Sequence, residues 1–508
     1  MTAISTVKAL AAALCLASAA PSFALDLLQA YRSALQNDAQ LAAVRAQLQG
    51  IRERVPQARA GLLPAVNAGA TVLRQNTDTN IAAARRFTSQ NYSVTLSYPL
   101  YRLQNVELYE QTKLQVGVGE AQLAQATQDL ILRVAQAYFD LLAAQDNVDT
   151  LASQKRAITE QLAAARRNFE VGTATITDQQ EAQARFDLAS AQEIAARNDL
   201  EVKRAALAQL IGQPVGDINV LRPGVRLSGP EPARESDWVN NARDSNFIVL
   251  QQQIASEIAR REIDRQRYAR YPVVDVVGTL SHAQNSAVNF IGVRSTNAAV
   301  GVQLSVPIYN GGLIDARVRE ATASLDQSLS TLENLRRQAE QSARQSYLGL
   351  SSGLAQISAL EAAERSSRLA LDSNLLGYQV GVRINIDVLN AQQQLFQTRR
   401  DLARARYDTL LNGLRLQATG GALSEEDVQA VNALLTPPGA RPDEEPSTLS
   451  TPQPPLQMTP VPPAPAPGVP PAAPGLAPGL APGIPPGVVP APAPAPVLPP
   501  PVVPGPAR

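Results

Sequence analysis

Apolar and polar residues alternate one by one in short stretches of this chain and recur every three to four residues in long ones. Val66, Ala68, Ala70 and Val72 alternate with Asn67, Gly69 and Thr71, and Val94, Leu96 and Tyr98 alternate with Ser93, Thr95 and Ser97. Later, Val300, Val302, Leu304 and Val306 face Gly301, Gln303 and Ser305. Period two with one apolar face predicts strands. The face opposite is small and polar, the pattern of a membrane barrel strand, although a soluble antiparallel sheet with one wet face gives the same alternation. A polar loop is expected over 74–91, and its counterpart over 282–298.

Elsewhere the period is helical. Residues 103 to about 168, and 313 to about 376, contain no proline and few glycines. Leu123, Ala126, Leu130, Val134, Ala137 and Leu141 step by three and four, and Leu325, Leu329, Leu332, Ala339, Ala343, Leu350, Leu354 and Ile357 step by three, four and seven. These are coiled-coil seams rich in alanine. At ~1.5 Å per residue each helix would be about 100 Å long, too long for a compact domain. Amphipathic helices are also expected over 26–61 and 236–270, and returning helices over 179–212 and 388–418.

The pattern is written twice. Leu62-Leu63-Pro64-Ala65-Val66 is echoed by Arg270-Tyr271-Pro272-Val273-Val274, and Tyr98-Pro99-Leu100-Tyr101 by Val306-Pro307-Ile308-Tyr309. Val171-Gly172 recurs as Val380-Gly381 and Asp178 as Asp387. The offsets are 208 or 209 residues, too long for a solenoid period. Each copy reads as helix, two strands, very long helix, tight turn and returning helix, over 25–222 and over 223–436. Glycine ends the long helices at the turns, and Thr177 or Asp178, with Asn385 or Asp387, are expected N-caps of the returning ones.

Four membrane strands cannot close a barrel, and an open edge in lipid leaves backbone groups unpaired at several kcal/mol each. Two chains would give eight strands with a filled interior, and three would give twelve with room for a pore.

Composition narrows the partners. Forty-five basic residues balance forty-five acidic ones, so no global field draws the chain to nucleic acid. No mature stretch approaches eighteen uninterrupted apolar residues, so spanning helices are not expected. Residues 1–24 read as a secretory signal, with Lys8, the apolar run Ala9 to Ala20 and the cleavage site Ser22-Phe23-Ala24. The single cysteine, Cys15, lies inside that run behind Leu14, where a lipidated cysteine takes a small residue, so neither a lipid anchor nor a cysteine metal site is expected. No enzyme constellation or cofactor motif is found. His282 is the only histidine and is read as a surface-loop residue. Gly311-Gly312 lacks any phosphate-loop lysine and is read as easing the bend from strand to helix. Trp238 is read as a packing residue. Residues 437–508 hold twenty-eight of the thirty-eight prolines and are expected to be extended and disordered.

The sequence resembles the TolC family of outer-membrane efflux and secretion channels. The resemblance is carried by Leu62-Leu63-Pro64, Tyr98-Pro99-Leu100-Tyr101, Ala137-Tyr138-Phe139-Asp140-Leu141-Leu142, Phe169 to Asp178, Val306 to Gly312 and Gly377 to Arg383, in the same order over about 25–436. It implies a mostly α fold with membrane β: a duplicated repeat giving four strands per chain of a trimeric twelve-stranded barrel, continued by a long α-helical coiled-coil tunnel in the periplasm. It also implies an equatorial belt, here roughly 213–235 and 419–436. The implied partners are two further copies of the chain, outer-membrane lipid, a periplasmic adaptor, and an inner-membrane ABC or proton-driven transporter.

The resemblance further implies a closed periplasmic mouth. Asp387 matches one aspartate of the family's constricting ring, and Asn390 stands where a second is usual. Arg383 and Tyr378 match a gate latch, with Asp178 and Thr177 as expected partners. Val171, Gly172, Thr173, Val380, Gly381 and Val382 would be the tips that meet the adaptor. Helix capping alone could account for Asp178 and Asp387. The rival class is a periplasmic coiled-coil adaptor or structural envelope protein, which would carry one hairpin flanked by compact β domains.

Overall fold

The computed structural model describes residues 24–438 except 80, 81, 174, 288 and 289. The expected signal peptide at 1–24 and the proline-rich tail at 437–508 lie almost wholly outside the described residues. Three helices lead in, α1 (Leu27–Asn37), α2 (Ala39–Arg52) and α3 (Arg54–Ala60). The hairpin of β1 (Ala65–Thr79) and β2 (Ala82–Tyr101) follows. Then come the long α4 (Leu103–Glu170) and the returning α5 (Ile176–Ile211). After the short β3 (Val220–Leu221), the order recurs as α6 (Glu235–Ser245), α7 (Phe247–Arg267), β4 (Val273–Ala287), β5 (Phe290–Ser305), α8 (Leu313–Gln379) and α9 (Asn385–Thr419). The described chain closes with α10 (Glu425–Asn432) and β6 (Leu435–Thr436).

The leading helices are broken where one helix was expected in each copy. Asp38 ends α1, and its Oδ1 accepts from the Leu41 N–H at 2.6 Å to start α2. Asn246 does the same between α6 and α7, accepting from the Ile248 N–H at 2.9 Å. These two residues are themselves 208 apart. Asx side chains compete with the helix backbone for N–H groups, so each converts a helix interior into a joint.

β1, β2, β4 and β5 form one antiparallel sheet in that order, with β2 and β4 joining the two copies. The expected polar loops are mostly strand. β1 runs to Thr79, β2 begins at Ala82, and the second hairpin pairs as far as Ala287 with Phe290. The backbone ladder needs no apolar side chain to continue, so polar residues on both faces hid these segments. His282 is therefore a strand residue, opposite Tyr92 and Thr296, with its Nδ1 2.9 Å from the Thr296 hydroxyl.

Register gathers the apolar positions into one face. Val66, Leu96, Gly278 and Val300 form one cross-strand row, and Ala68, Val94, Leu280 and Ala298 the next. The intervening row is Asn67, Thr95, Thr279 and Ala299. Val66, Val300, Val302 and Leu304 stand 66%, 81%, 66% and 63% exposed, a hydrocarbon surface with nothing of its own chain against it. From Leu304 to Thr296 the strand advances about 27 Å at ~3.4 Å per residue, or about 21 Å when tilted by roughly 40°, close to the ~25 Å apolar band of barrel proteins.

The main core lies far from this sheet, midway along the long helices. Leu130, Val134, Tyr138, Leu141 and Leu142 of α4 pack there with Leu27, Ala30 and Ala34 of α1, Leu207 and Ile211 of α5, and Leu411 and Leu414 of α9. β3 pairs with β6 across this core, and Leu25 bridges Ile218. The Tyr138 hydroxyl sits 2.8 Å from the Asn219 carbonyl and 3.1 Å from that of Leu25, and it donates to the nearer. Burial, with Asp26 nearby, pushes its pKa up, so it stays a donor at any ordinary pH. Of the two helical seams, Leu130, Val134, Leu141, Leu332, Ala339, Ala343, Leu350 and Ile357 are buried, whereas Leu329 is exposed. Trp238 packs on Leu350 and Leu416 and donates to the Pro232 carbonyl.

Asp38 also ties α1–α2 to α4 through two bonds from Arg133, at 3.1 and 3.2 Å. Burial pushes this carboxyl up, but the Arg133 guanidinium and the Leu41 and Gln40 N–H groups outweigh it, so its pKa lies below the ordinary carboxylate value. A depressed folded pKa stabilises above the unfolded value and is lost as pH falls through the folded one. Asp38→Asn, which keeps the cap and removes the charge, should lower the thermal midpoint at neutral pH and leave it close to wild type in strong acid, as checked by melting both proteins across the acidic range.

Candidate functional site

The two hairpin ends furthest from the sheet hold the residues singled out above. α4 stops at Glu170 and α8 at Gln379, and each turn passes through a glycine of positive φ, 78° at Gly172 and 79° at Gly381. Only glycine takes that conformation without a Cβ penalty. Backbone bonds close both turns in the same way: Thr173 N–H to Asn168 O at 2.8 Å, and Val382 N–H to Gly377 O at 2.9 Å. The apices are apolar and open, with Val171, Val380 and Val382 72%, 66% and 76% exposed.

The caps differ from expectation. α5 begins at Ile176, and its N-cap is Thr175, not Thr177 or Asp178. Thr175 Oγ1 accepts from the Asp178 N–H while Asp178 Oδ2 accepts from the Thr175 N–H, a reciprocal box. The Thr175 hydroxyl reaches three residues forward, so the helix starts earlier and takes Thr177 and Asp178 into its first turn. α9 begins at Asn385 after Ile384, with no side-chain cap, so neither Asn385 nor Asp387 caps it.

Asn385 is instead buried between the hairpins. Its Oδ1 accepts from Gln161 Nε2, and its Nδ2 donates to the Asp178 carbonyl at 3.4 Å. Asn168 Nδ2 donates to the Tyr378 hydroxyl at 3.3 Å. Within one chain Tyr378 therefore meets Asn168 and not Thr177. Arg383 meets Asp387, Nη1 to Oδ2 at 3.6 Å, and not Asp178. The expected latch residues thus share one end of the molecule, but their intrachain partners are different ones. Arg383 is exposed and Asp387 half-buried one helical turn away, which limits the pair to about 0–1 kcal/mol.

Sequence reasoning missed Arg185 of α5. Its Nη2 donates to Asn390 Oδ1 at 3.1 Å and its Nη1 to Gln393 Oε1 at 2.6 Å. Asn390 lies one turn along α9 from Asp387. Where an acid would have made an ion pair, two neutral amides hold a guanidinium whose charge they do not cancel. The signal available in the sequence was that same asparagine: losing a carboxylate leaves a cation on a facing helix uncompensated. The described helices include none long and apolar enough to cross a membrane, and no group of metal-binding side chains occurs among the described residues.

Residues 30–213 and 238–422 match the family described as outer membrane efflux protein. The two segments start 208 residues apart and end 209 apart. The chain is similar to outer membrane protein TolC of Vibrio cholerae, 32% identical over 419 residues, covering 81% of this chain and 94% of that protein. It is 31% identical over 421 residues to the alkaline protease secretion protein AprF of Pseudomonas aeruginosa, covering 81% and 88%. The fold is that of the Campylobacter jejuni CmeC outer membrane channel, with a TM-score of 0.67 at 17% identity over 81% of this chain and 90% of that one. The duplicated strands and hairpins, matched in order over most of both lengths, place this chain in the TolC-like family of outer membrane efflux proteins.

Proposed function

We propose that three copies of this chain close a twelve-stranded barrel in the outer membrane and continue it as a helical duct into the periplasm. The observation that carries this reading is the four-stranded sheet whose outward apolar face ends at two unpaired edges, β1 and β5. Lipid offers no partner for those backbone groups, so β5 of one copy must pair with β1 of the next. Four strands are too few to enclose anything, and twelve leave an aqueous lumen. On this reading the duct is the exit for type I protein secretion, multidrug efflux, or both. An adaptor seats on the exposed valines of the tips, and an inner-membrane ABC or proton-driven transporter supplies the energy. The relatives named for outer-membrane and protease secretion support that assignment. Unheated detergent extracts should run as a trimer and boiled ones as a monomer; a monomer under both conditions would sink the reading.

The tips are the gate in this reading. Three copies bring three Asp387 carboxylates toward one axis, and converging anions favour cations at the mouth. Asp387→Ala should raise the half-blocking concentration of a divalent cation in planar bilayers about tenfold, about 1.4 kcal/mol of binding. Unchanged block would remove Asp387 from the constriction. Arg383 and Tyr378, bound weakly within the chain, are free to engage the neighbouring copy in the closed state. Arg383→Ser with Tyr378→Phe should raise single-channel conductance, and an unaltered conductance would leave these residues as local braces only.

Arg185 sets the balance of charge at this mouth. Asp387 already faces Arg383, so the Arg185 guanidinium beside Asn390 offsets a ring that would otherwise be strongly cation-selective. Arg185→Gln should shift the reversal potential in a salt gradient toward that of a cation-selective pore. A reversal potential equal to wild type would place Arg185 outside the conduction path.

A further inference from the structure

The arginines at the two ends of the sheet are treated differently. At the end that meets the helices, Arg102 Nη2 pairs with Asp275 Oδ2 at 2.6 Å, and Arg270 pairs with Asp315. At the hairpin end, Arg74 lies on β1, Arg86 on β2 and Arg294 on β5, all exposed. Carboxylates are almost absent there. Asp78 is the only one between Val66 and Tyr98, and there is none between Val276 and Leu304.

Register puts these three on the apolar side of the sheet. Side chains two apart along a strand share a face. Arg74 follows Val66, Ala68, Ala70 and Val72 on β1, Arg86 precedes Tyr92, Val94 and Leu96 on β2, and Arg294 precedes Ala298, Val300 and Val302 on β5. Above the row Ala70, Tyr92, His282 and Thr296 the apolar band ends, with Val72 its last member beside Gln90 and Gln284. Arg294, opposite Gln284, stands in the row of Val72. Arg74, opposite Thr88, and Arg86, opposite Asn76, stand just beyond it. Arg74 and Arg86 are diagonal neighbours across one strand pair, about 7–8 Å apart at the backbone. Two guanidiniums at that spacing repel each other unless an anion lies between them. Arg294 is on edge strand β5, which in the closed barrel borders the next copy's β1, so each subunit junction would gather arginines from both sides.

We infer that this collar binds phosphate groups on the lipid headgroups of the outer leaflet. The chemistry is specific. A guanidinium presents a planar fork that matches phosphate oxygens bidentately. The position, immediately above a hydrocarbon band and on its lipid-facing side, is where a phosphorylated headgroup sits when its acyl chains lie along that band. The occupant is a membrane lipid and not a soluble anion, because the same face supplies both the apolar wall for its chains and the cations for its phosphates. The inference rests on the barrel reading, which fixes this face as outward.

The test uses the intact trimer in vesicles of phosphatidylcholine containing diphosphoryl lipid A. After exchange into pure phosphatidylcholine, retained lipid A is counted by mass spectrometry. Wild type should retain it, and Arg74→Gln with Arg86→Gln and Arg294→Gln should reduce retention about tenfold, while the three Lys substitutions fall between because charge is kept and the fork is lost. Equal retention by wild type and the Gln variant would overturn the inference. So would equal retention of dephosphorylated lipid A, or displacement of the lipid by millimolar inorganic phosphate. Unchanged conductance of the Gln variant shows that its barrel is intact. Failure of wild type to insert into the vesicles would instead refute the barrel on which the inference rests.

Discussion

Backbone hydrogen bonding in the sheet cannot be completed within one chain. β1 and β5 each present a full edge of N–H and C=O groups beside a face of exposed Val, Leu and Tyr. In water such an edge invites aggregation, and in hydrocarbon each unpaired group costs several kcal/mol. The constraint propagates through the molecule. On the proposed reading co-assembly closes the sheet, closure fixes how many helices hang beneath it, and the helices extend the enclosed space to the tips.

What holds one protomer together lies elsewhere. The core around Tyr138 gathers the N-terminal helix, the returning helices of both hairpins and the C-terminal strand into one knot midway along the long helices. Phe139 stacks on Tyr407 with ring centroids 5.8 Å apart, joining α4 to α9 and so the first copy to the second. Away from this knot the hairpins are two-helix seams of small residues. Gly353 packs so close to Thr409 that a Cβ there would come within 2.5 Å of the hydroxyl. The architecture therefore concentrates hydrophobic burial in the middle and leaves apolar side chains exposed at the two ends, sheet and tips.

Much of this was legible in residue order. The alternation of Val94, Leu96 and Tyr98, the long seams and the doubled Pro and Gly landmarks lead directly to the sheet, the helices and the turns. Three features were not legible, each for a physical reason. Strand continued past Val72 because pairing depends on the backbone ladder, which polar side chains neither create nor prevent. Helices broke at Asp38 and Asn246 because an Asx side chain caps or not according to what else it can bond, and Arg133 and the Thr419 carbonyl decide that from other elements. At the tips the pattern located Asp178, Tyr378, Arg383 and Asp387 on one end of the fold, while the contacts within one chain, Tyr378 with Asn168 and Arg383 with Asp387, were not legible. Partner choice there turns on the rotamers of long side chains, and Arg185, from a helix two hundred residues away in sequence, was signalled only indirectly, by the asparagine at 390.

The two outgoing helices are 68 and 67 residues long and the two returning ones 36 and 35. At ~1.5 Å per residue the tips of the two hairpins therefore end level to within about one rung of the helix. Such parity is not demanded by folding, since either hairpin could be longer and still bury its seam. It makes equal arm length a constraint on insertions and deletions. An insertion in one hairpin would tilt the rim unless the other lengthened too, and only steps of about seven residues would restore the seam. Divergence in this chain should accumulate as substitutions along the arms, with gaps confined to the sheet turns and the ends.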